Sequence, residues 1–143
     1  MAANDVALVP TVVQLDNFPK YAASAAEKFP AYRDHMLDLW KRRRDTIGAA
    51  HEAGVRIYAG TDAGGVLPHG LIAEEVMGLA TYGLTSEEAL GAASWRGREW
   101  LGRDGTLGEG SEADFVVYDA DPTADLTVLA KPTRVVLRGV VVG

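Results

Sequence analysis

The chain contains no cysteine, which excludes disulfides and thiolate-held metals together and leaves His, Asp and Glu as the side chains able to bind a metal. Histidine is scarce as well, with His35, His51 and His69 making up the whole set and no His-x-His pair among them. Basic tracts are absent apart from Lys41-Arg42-Arg43-Arg44, a short run inside a helical pattern that reads as a solvated helix face. With a net charge of −6, this argues against a nucleic-acid partner. No apolar run approaches the ~20 residues needed to span a bilayer, and no charged segment followed by an apolar one opens the chain. The expectation is therefore a cytoplasmic protein without membrane contact. What is present is ordinary globular material: 143 residues, 48% hydrophobic and 24% charged, the length of one domain and enough to bury a core.

Along the chain, Val6-Ala7-Leu8-Val9 is a short apolar run that suits a buried strand, with a loop beginning at Pro10. From Pro30 to His51 the positions Met36, Leu37, Leu39, Trp40, Ile47 and Ala50 recur with helical spacing, and Gly54 supplies a stop. A strand Val55–Thr61 and a helix Leu71–Tyr82 closed by Gly83 follow. This alternation of helix and strand is that of a parallel sheet or barrel. Thr85-Ser86-Glu87-Glu88 is a capping box for a helix from Ser86 to about Ala93. A further helix is expected from Ser94 to Leu101, with Trp95 and Trp100 burying large apolar faces. From Gly105 the character changes to a turn-rich stretch, a strand Asp114–Tyr118, a polar loop Asp119–Asp125 and a strand pair or bent strand over Arg134–Val142.

The sharpest local feature is Tyr58-Ala59-Gly60-Thr61-Asp62-Ala63-Gly64-Gly65, followed by Pro68-His69-Gly70. A β-branched and aromatic strand runs into a carboxylate and is broken by glycine. Asp62 then stands at the carboxyl end of a strand, where (β/α) barrels place their chemistry. The plainer reading is a turn in which Asp62 bonds the backbone two residues on. His69 has two readings too, a substrate contact at the same mouth or a cap for the helix that begins near Leu71.

Taken in order, these segments resemble the amidohydrolase family, in particular its imidazolonepropionase-like and prolidase-like branch, and specifically its C-terminal third. The resemblance runs through Gly54–Gly64, Pro68-His69-Gly70, Gly83-Leu84-Thr85, Ala92-Ala93-Ser94, Gly105-x-Leu107-x-Glu109-Gly110 and Ala113–Pro122 to Val135-x-Leu137-x-Gly139. It implies an α/β fold, the last part of a metal-dependent hydrolase (β/α)8 TIM barrel (about strands 7 and 8 with their helices) plus C-terminal strands of a small β-sandwich. The division expected is 1–104 for the barrel part and 105–143 for the sandwich strands. The resemblance also implies hydrolysis of carbon–nitrogen bonds in amides, cyclic amides or dipeptides by a metal-activated water. Asp62 falls at the position of the eighth-strand aspartate that binds the metal and shuttles the proton. Thr61, Gly64, Gly65 and His69 would line the pocket mouth.

The implied cofactor is a divalent metal, zinc by analogy, with manganese, iron or cobalt also compatible with oxygen and nitrogen donors. Asp62 and His69 cannot build a closed four-ligand site in one copy, and His35 and His51 lie on the long helix facing outward or into the helix layer. The expectation is thus a C-terminal piece with an uncovered sheet edge and uncovered helix faces, arising from a truncated gene, from a split enzyme with an N-terminal partner chain, or as a self-associating remnant. Its partners would be a small-molecule amide and that second chain. The alternative is a non-catalytic α/β assembly or binding module that has kept the family's shape.

Overall fold

The two apolar segments before Pro10 and after Gly54 lie side by side in the computed structural model, which describes residues 1–143. Leu8 N–H donates to the Arg56 carbonyl at 2.9 Å and Tyr58 N–H donates to the Leu8 carbonyl at 3.0 Å. They form a single parallel bridge, Leu8↔Ile57. The expected strands Val6–Val9 and Val55–Thr61 thus shrink to one bridged position. The parallel direction is as expected, but the next bond of a parallel ladder would need an N–H from residue 10, and Pro10 has none.

Helices wrap one side of this pair. α3, Pro30–Glu52, starts with proline in its first turn and buries Met36 and Ile47, with Gly54 just beyond it at φ +72°. α4, Ile72–Thr81, buries Ala73, Val76 and Leu79. α5, Ser86–Ala92, carries the capping box, with Glu88 N–H donating to Thr85 Oγ1 at 3.2 Å and Thr85 N–H donating to Glu88 Oε2 at 2.9 Å. α6 spans Trp95–Trp100. Trp100 is 45% exposed, so the expected burial of its face is not found; it stacks on Tyr58 instead, centroids 4.6 Å apart. Arg43 also departs from the expected solvated face, lying over the Trp40 ring at 4.1 Å.

Where a loop was expected after Pro10, the chain forms α1, Val12–Leu15, and α2, Phe18–Ala25. No local side chain caps α1; Val12 and Val13 N–H both donate to the Glu75 carboxylate at 2.9 Å. That partner lies on α4, some sixty residues away, so no local pattern could have announced the helix. Val12 packs hard against α4 as well, since a Cβ on Gly78 would stand 2.5 Å from Val12 Cγ2. Alanine at 78 gains about 1 kcal/mol of helix propensity but crowds a β-branched side chain with one favoured rotamer, which costs about 1–3 kcal/mol. Gly78→Ala is therefore expected to lower the midpoint of urea unfolding, and adding Val12→Ala to recover part of the loss; strict additivity of the two changes would refute the contact.

Beyond α6 lies a three-stranded antiparallel sheet of β1, Phe115–Val117, β2, Arg134–Leu137, and β3, Val140–Val141. Phe115 faces Val136 and Val136 faces Val141. Arg138 (φ +50°) and Gly139 (φ +76°) make the tight turn between β2 and β3, the geometry a two-residue hairpin needs. A 3-10 helix, Leu126–Ala130, follows the polar loop Asp119–Asp125, and its Leu129 joins the core of α4 and α5.

Arg98 on α6 holds this sheet to the helices, donating to the Asp104 carbonyl at 2.7 Å, to Asp114 at 3.1 Å and to Glu112 at 3.2 Å. Asp104 in turn accepts from the Ser111 hydroxyl and from Thr106, and these bonds lower its carboxyl pKa from 3.8 to about 2. A carboxyl whose folded-state pKa is depressed adds stability above its unfolded value and loses it as pH falls through the folded one. Amide protection factors over 104–112, corrected for the intrinsic rate at each pH, are expected to fall between pH 4 and pH 2 ahead of those in α3; simultaneous loss would argue against a local opening.

Burial is sparse. The chain exposes 8927 Å² and buries 18 of its 143 residues, whereas a compact monomer of 15.2 kDa exposes about 7,100 Å². The excess, about 1,800 Å², exceeds the ~800 Å² per partner of a standard protein interface. It carries Val6, Val9, Phe29, Leu39, Val140 and Val142. No helix is long and apolar enough to cross a membrane.

Candidate functional site

Asp62 ends the extended segment that begins at Val55. Its φ of +52° is left-handed, a conformation that Asp and Asn reach more readily than other side chains and that is enriched where function holds the backbone. The residue is exposed. The chain then folds through a tight loop in which Gly64 N–H donates to the Leu67 carbonyl at 3.0 Å and Ala63 bridges Leu67.

His69 lies back over that loop. A Cβ on Gly64 would stand 3.2 Å from His69 Cε1 and 3.4 Å from Nε2, and Gly64 has φ +104°. The positive φ favours glycine there, and the imidazole packed on it leaves a Cβ little room. His69 does not cap α4, whose N-cap is Leu71 and carries no side-chain capping bond; of the two sequence readings of this histidine, the capping one is not found. Thr61 is half-buried, and Gly65 is exposed with open space around it. The structure thus gathers Asp62, Gly64 and His69 around one loop at one end of the bridged pair.

The other two histidines lie on α3. His35 is exposed on α3, and His51 Nε2 lies 3.3 Å from Glu88 Oε1, an interhelical contact. No three His, Asp or Glu side chains come close enough together to hold a metal ion. Catalytic zinc sites use three protein ligands, so the donor set of this chain does not by itself fit a metal.

Two other features escaped the sequence reading. A cavity of about 700 Å³ opens between α4–α6 and β1, lined by Ile72, Val76, Leu90, Trp95, Phe115 and Leu129. It is apolar, and its charged margin, Arg98 with Asp114, is already paired. It lies between the helices and the sheet, not at the Asp62 loop. The second feature is Glu75, fully buried with its carboxylate on two backbone N–H groups. An acid inside an amphipathic helix gives no sequence signal that separates it from a solvated one.

The order of segments, the bridged parallel pair, the helices over it and the appended antiparallel sheet define a small α/β piece. Residues 23–142 match the amidohydrolase family, and the chain belongs to that family. It is 48% identical over 139 residues to the uncharacterized proteins Rv2915c of Mycobacterium tuberculosis and Mb2939c of Mycobacterium bovis, an alignment covering 97% of this chain and 37% of either relative. Among solved structures it is similar to a Xaa-Pro dipeptidase with methionine in its active site (TM-score 0.83, 25% identity, 99% of this chain and 35% of that one). It is also similar to a putative prolidase from Bifidobacterium longum (TM-score 0.79, 29% identity, 95% and 35%). The ochratoxinase of A. niger superposes with a TM-score of 0.72 at 25% identity, over 92% and 30%. The chain spans little more than a third of the curated relatives it matches.

Proposed function

We propose that this chain supplies the C-terminal part of an amidohydrolase, about the last two strands of its barrel with their helices over residues 1–104 and sandwich strands over 105–143, and that hydrolysis of a carbon–nitrogen bond needs the complementary part. The observation that carries this reading is Asp62, a left-handed carboxylate at the end of an extended segment in a chain of this family. The likeness to a Xaa-Pro dipeptidase and to a putative prolidase supports a small amide or dipeptide as the substrate class.

In this reading Asp62 accepts the proton of the attacking water and passes it to the leaving nitrogen as the C–N bond breaks, one carboxylate serving both steps. His69, held against Gly64, and Thr61 orient the substrate at the mouth, with Gly64 and Gly65 leaving the backbone open to it. A divalent metal, zinc first by analogy, would be held by Asp62 together with donors from the complementary part. Its chemistry is to bring the pKa of bound water towards neutrality.

The test is complementation. Co-expression with the portion of Rv2915c that the alignment leaves uncovered should yield a complex that hydrolyses X-Pro dipeptides or N-acyl amides, while the chain alone does not. A folded, metal-loaded complex inactive on such substrates would favour a non-catalytic assembly module.

A further inference from the structure

Thr11 enters α1 with a backbone that threonine seldom adopts, φ +49° and ψ +57°. A β-branched residue in the left-handed region is an outlier, and such strain persists where the surroundings enforce it and collects at functional sites. The enforcement is visible on both sides. Pro10 stiffens the chain before it, the Thr11 carbonyl accepts from Gln14 and Leu15 N–H at 2.9 and 3.1 Å, and the Glu75 carboxylate pins the next two N–H groups. Glycine would reach the same backbone without strain, so the turn alone does not account for a threonine. Helix capping does not account for it either. Threonine caps helices through its hydroxyl, yet Thr11 makes no such side-chain bond and Glu75, from α4, takes the N–H groups instead.

The place of this residue is the mouth that holds Asp62. Leu8 and Ile57 are bridged in parallel, so the two segments end on the same side. Just beyond the bridge Val9 lies against Gly60, close enough that a Cβ there would stand 2.6 Å from Val9 Cγ1. Thr11 follows Val9 by two residues, as Asp62 follows Gly60. The non-glycine residues with positive φ are Asp5, Thr11, Asp62 and Arg138. Asp5 closes the 3-10 turn of Ala2–Asn4 and Arg138 makes the β2–β3 hairpin; the other two stand together at this mouth.

We propose that Thr11 is a substrate-binding residue of the Asp62 site, its hydroxyl pairing with the amide group of the substrate, an assignment that rests on the reading of Asp62 as the proton-transfer group of an amide hydrolase. A hydroxyl both donates and accepts, which matches the C=O and N–H of an amide. It also stays neutral, so it orients the substrate without competing for the proton that Asp62 carries. The N–H groups of α1, occupied by Glu75, have no part in this contact.

The experiment compares Thr11→Gly, Thr11→Val and Thr11→Ser. In the 143-residue chain alone, Thr11→Gly should raise the midpoint of urea unfolding, because glycine removes the strain, and Thr11→Val, equally branched, should not. In the complex with the uncovered portion of Rv2915c, the Gly and Val variants should each raise KM about three- to tenfold, the worth of one neutral hydrogen bond, with kcat nearly unchanged. The probes are Ala-Pro and N-acetylalanine, whose dissociation constants by calorimetry should rise in step, and Thr11→Ser should restore both quantities. A variant that is more stable and yet binds substrate less well is not explained by a damaged fold. A lower midpoint for Thr11→Gly overturns the strain on which the assignment stands. Parental KM and dissociation constants in Thr11→Gly overturn it even where Asp62→Asn abolishes turnover. Weaker binding in Thr11→Gly by an assembly that never hydrolyses either probe keeps Thr11 and sinks the hydrolytic reading, and an assembly that neither binds nor hydrolyses them overturns both.

Discussion

Asp62→Asn in the reconstituted complex is expected to lower kcat by about 10²–10⁴-fold, the usual worth of a positioned proton-transfer group, with KM changed far less. Asparagine keeps the size of the side chain and tolerates the left-handed backbone at φ +52°, so the variant should fold and assemble like the parent. What it loses is the ability to accept a proton. The separation of kcat from KM matters, because a residue that only shaped the mouth would act on binding. His69→Ala supplies that contrast: an imidazole packed on Gly64 and contacting substrate should raise KM and leave most of kcat. Steady-state kinetics on the purified complex decide it, and an Asn variant with parental turnover would end the assignment of Asp62.

Glu75→Ala is expected to destabilise the chain by about 2–4 kcal/mol, since each buried N–H left without its acceptor costs about 1–3 kcal/mol and removal of an awkwardly buried carboxylate returns part of that. The loss is large against the 5–15 kcal/mol typical of whole domains. Val12 and Val13 would lose the acceptor that starts α1, and Val12 lies at the centre of the core. Glu75→Gln should cost about half as much, because one amide oxygen can serve one N–H while the amide NH₂ opposes the other. Urea unfolding gives both values, and an Ala variant as stable as the parent would mean that α1 does not depend on this cap.

Burial pushes the Glu75 carboxyl above its ordinary 4.5, against the pull of the Val13 and Val12 N–H groups, and the nearby Asp16 charge adds to the rise. A raised carboxyl pKa means that the folded chain binds the proton more tightly than the unfolded one. Stability from this group is therefore greatest below 4.5 and falls as pH climbs from there through the folded value. The stability difference between parent and Glu75→Gln should narrow over that window; a widening difference would contradict the sign.

Sequence and structure agree where the cause is local. The capping box at Thr85, the length of α3 from its proline start to Gly54, and the hairpin between β2 and β3 are each written in a few adjacent residues. They differ where the cause is remote. α1 exists because Glu75 reaches it from α4, and Trp100 is half-exposed because Tyr58, not the core, receives its ring. The strands around Leu8 and Ile57 were legible as apolar runs, yet they meet at one bridged position only, because Pro10 has no N–H to carry the parallel ladder further.

The candidate site divides in the same way. Asp62, Gly64 and His69 could be read from the residues because a strand broken by glycine is a local pattern, and family membership follows from the order of such patterns along the chain. That His69 lies on Gly64 instead of capping α4, and that no three His, Asp or Glu side chains gather to hold a metal, were decided by the tertiary structure. The sequence by itself determined helix ends, turns and the position of the acid, since these depend on backbone preferences over a few residues. Which polar groups are paired and which apolar faces are covered depend on segments brought together from far apart, and only the folded chain specifies those.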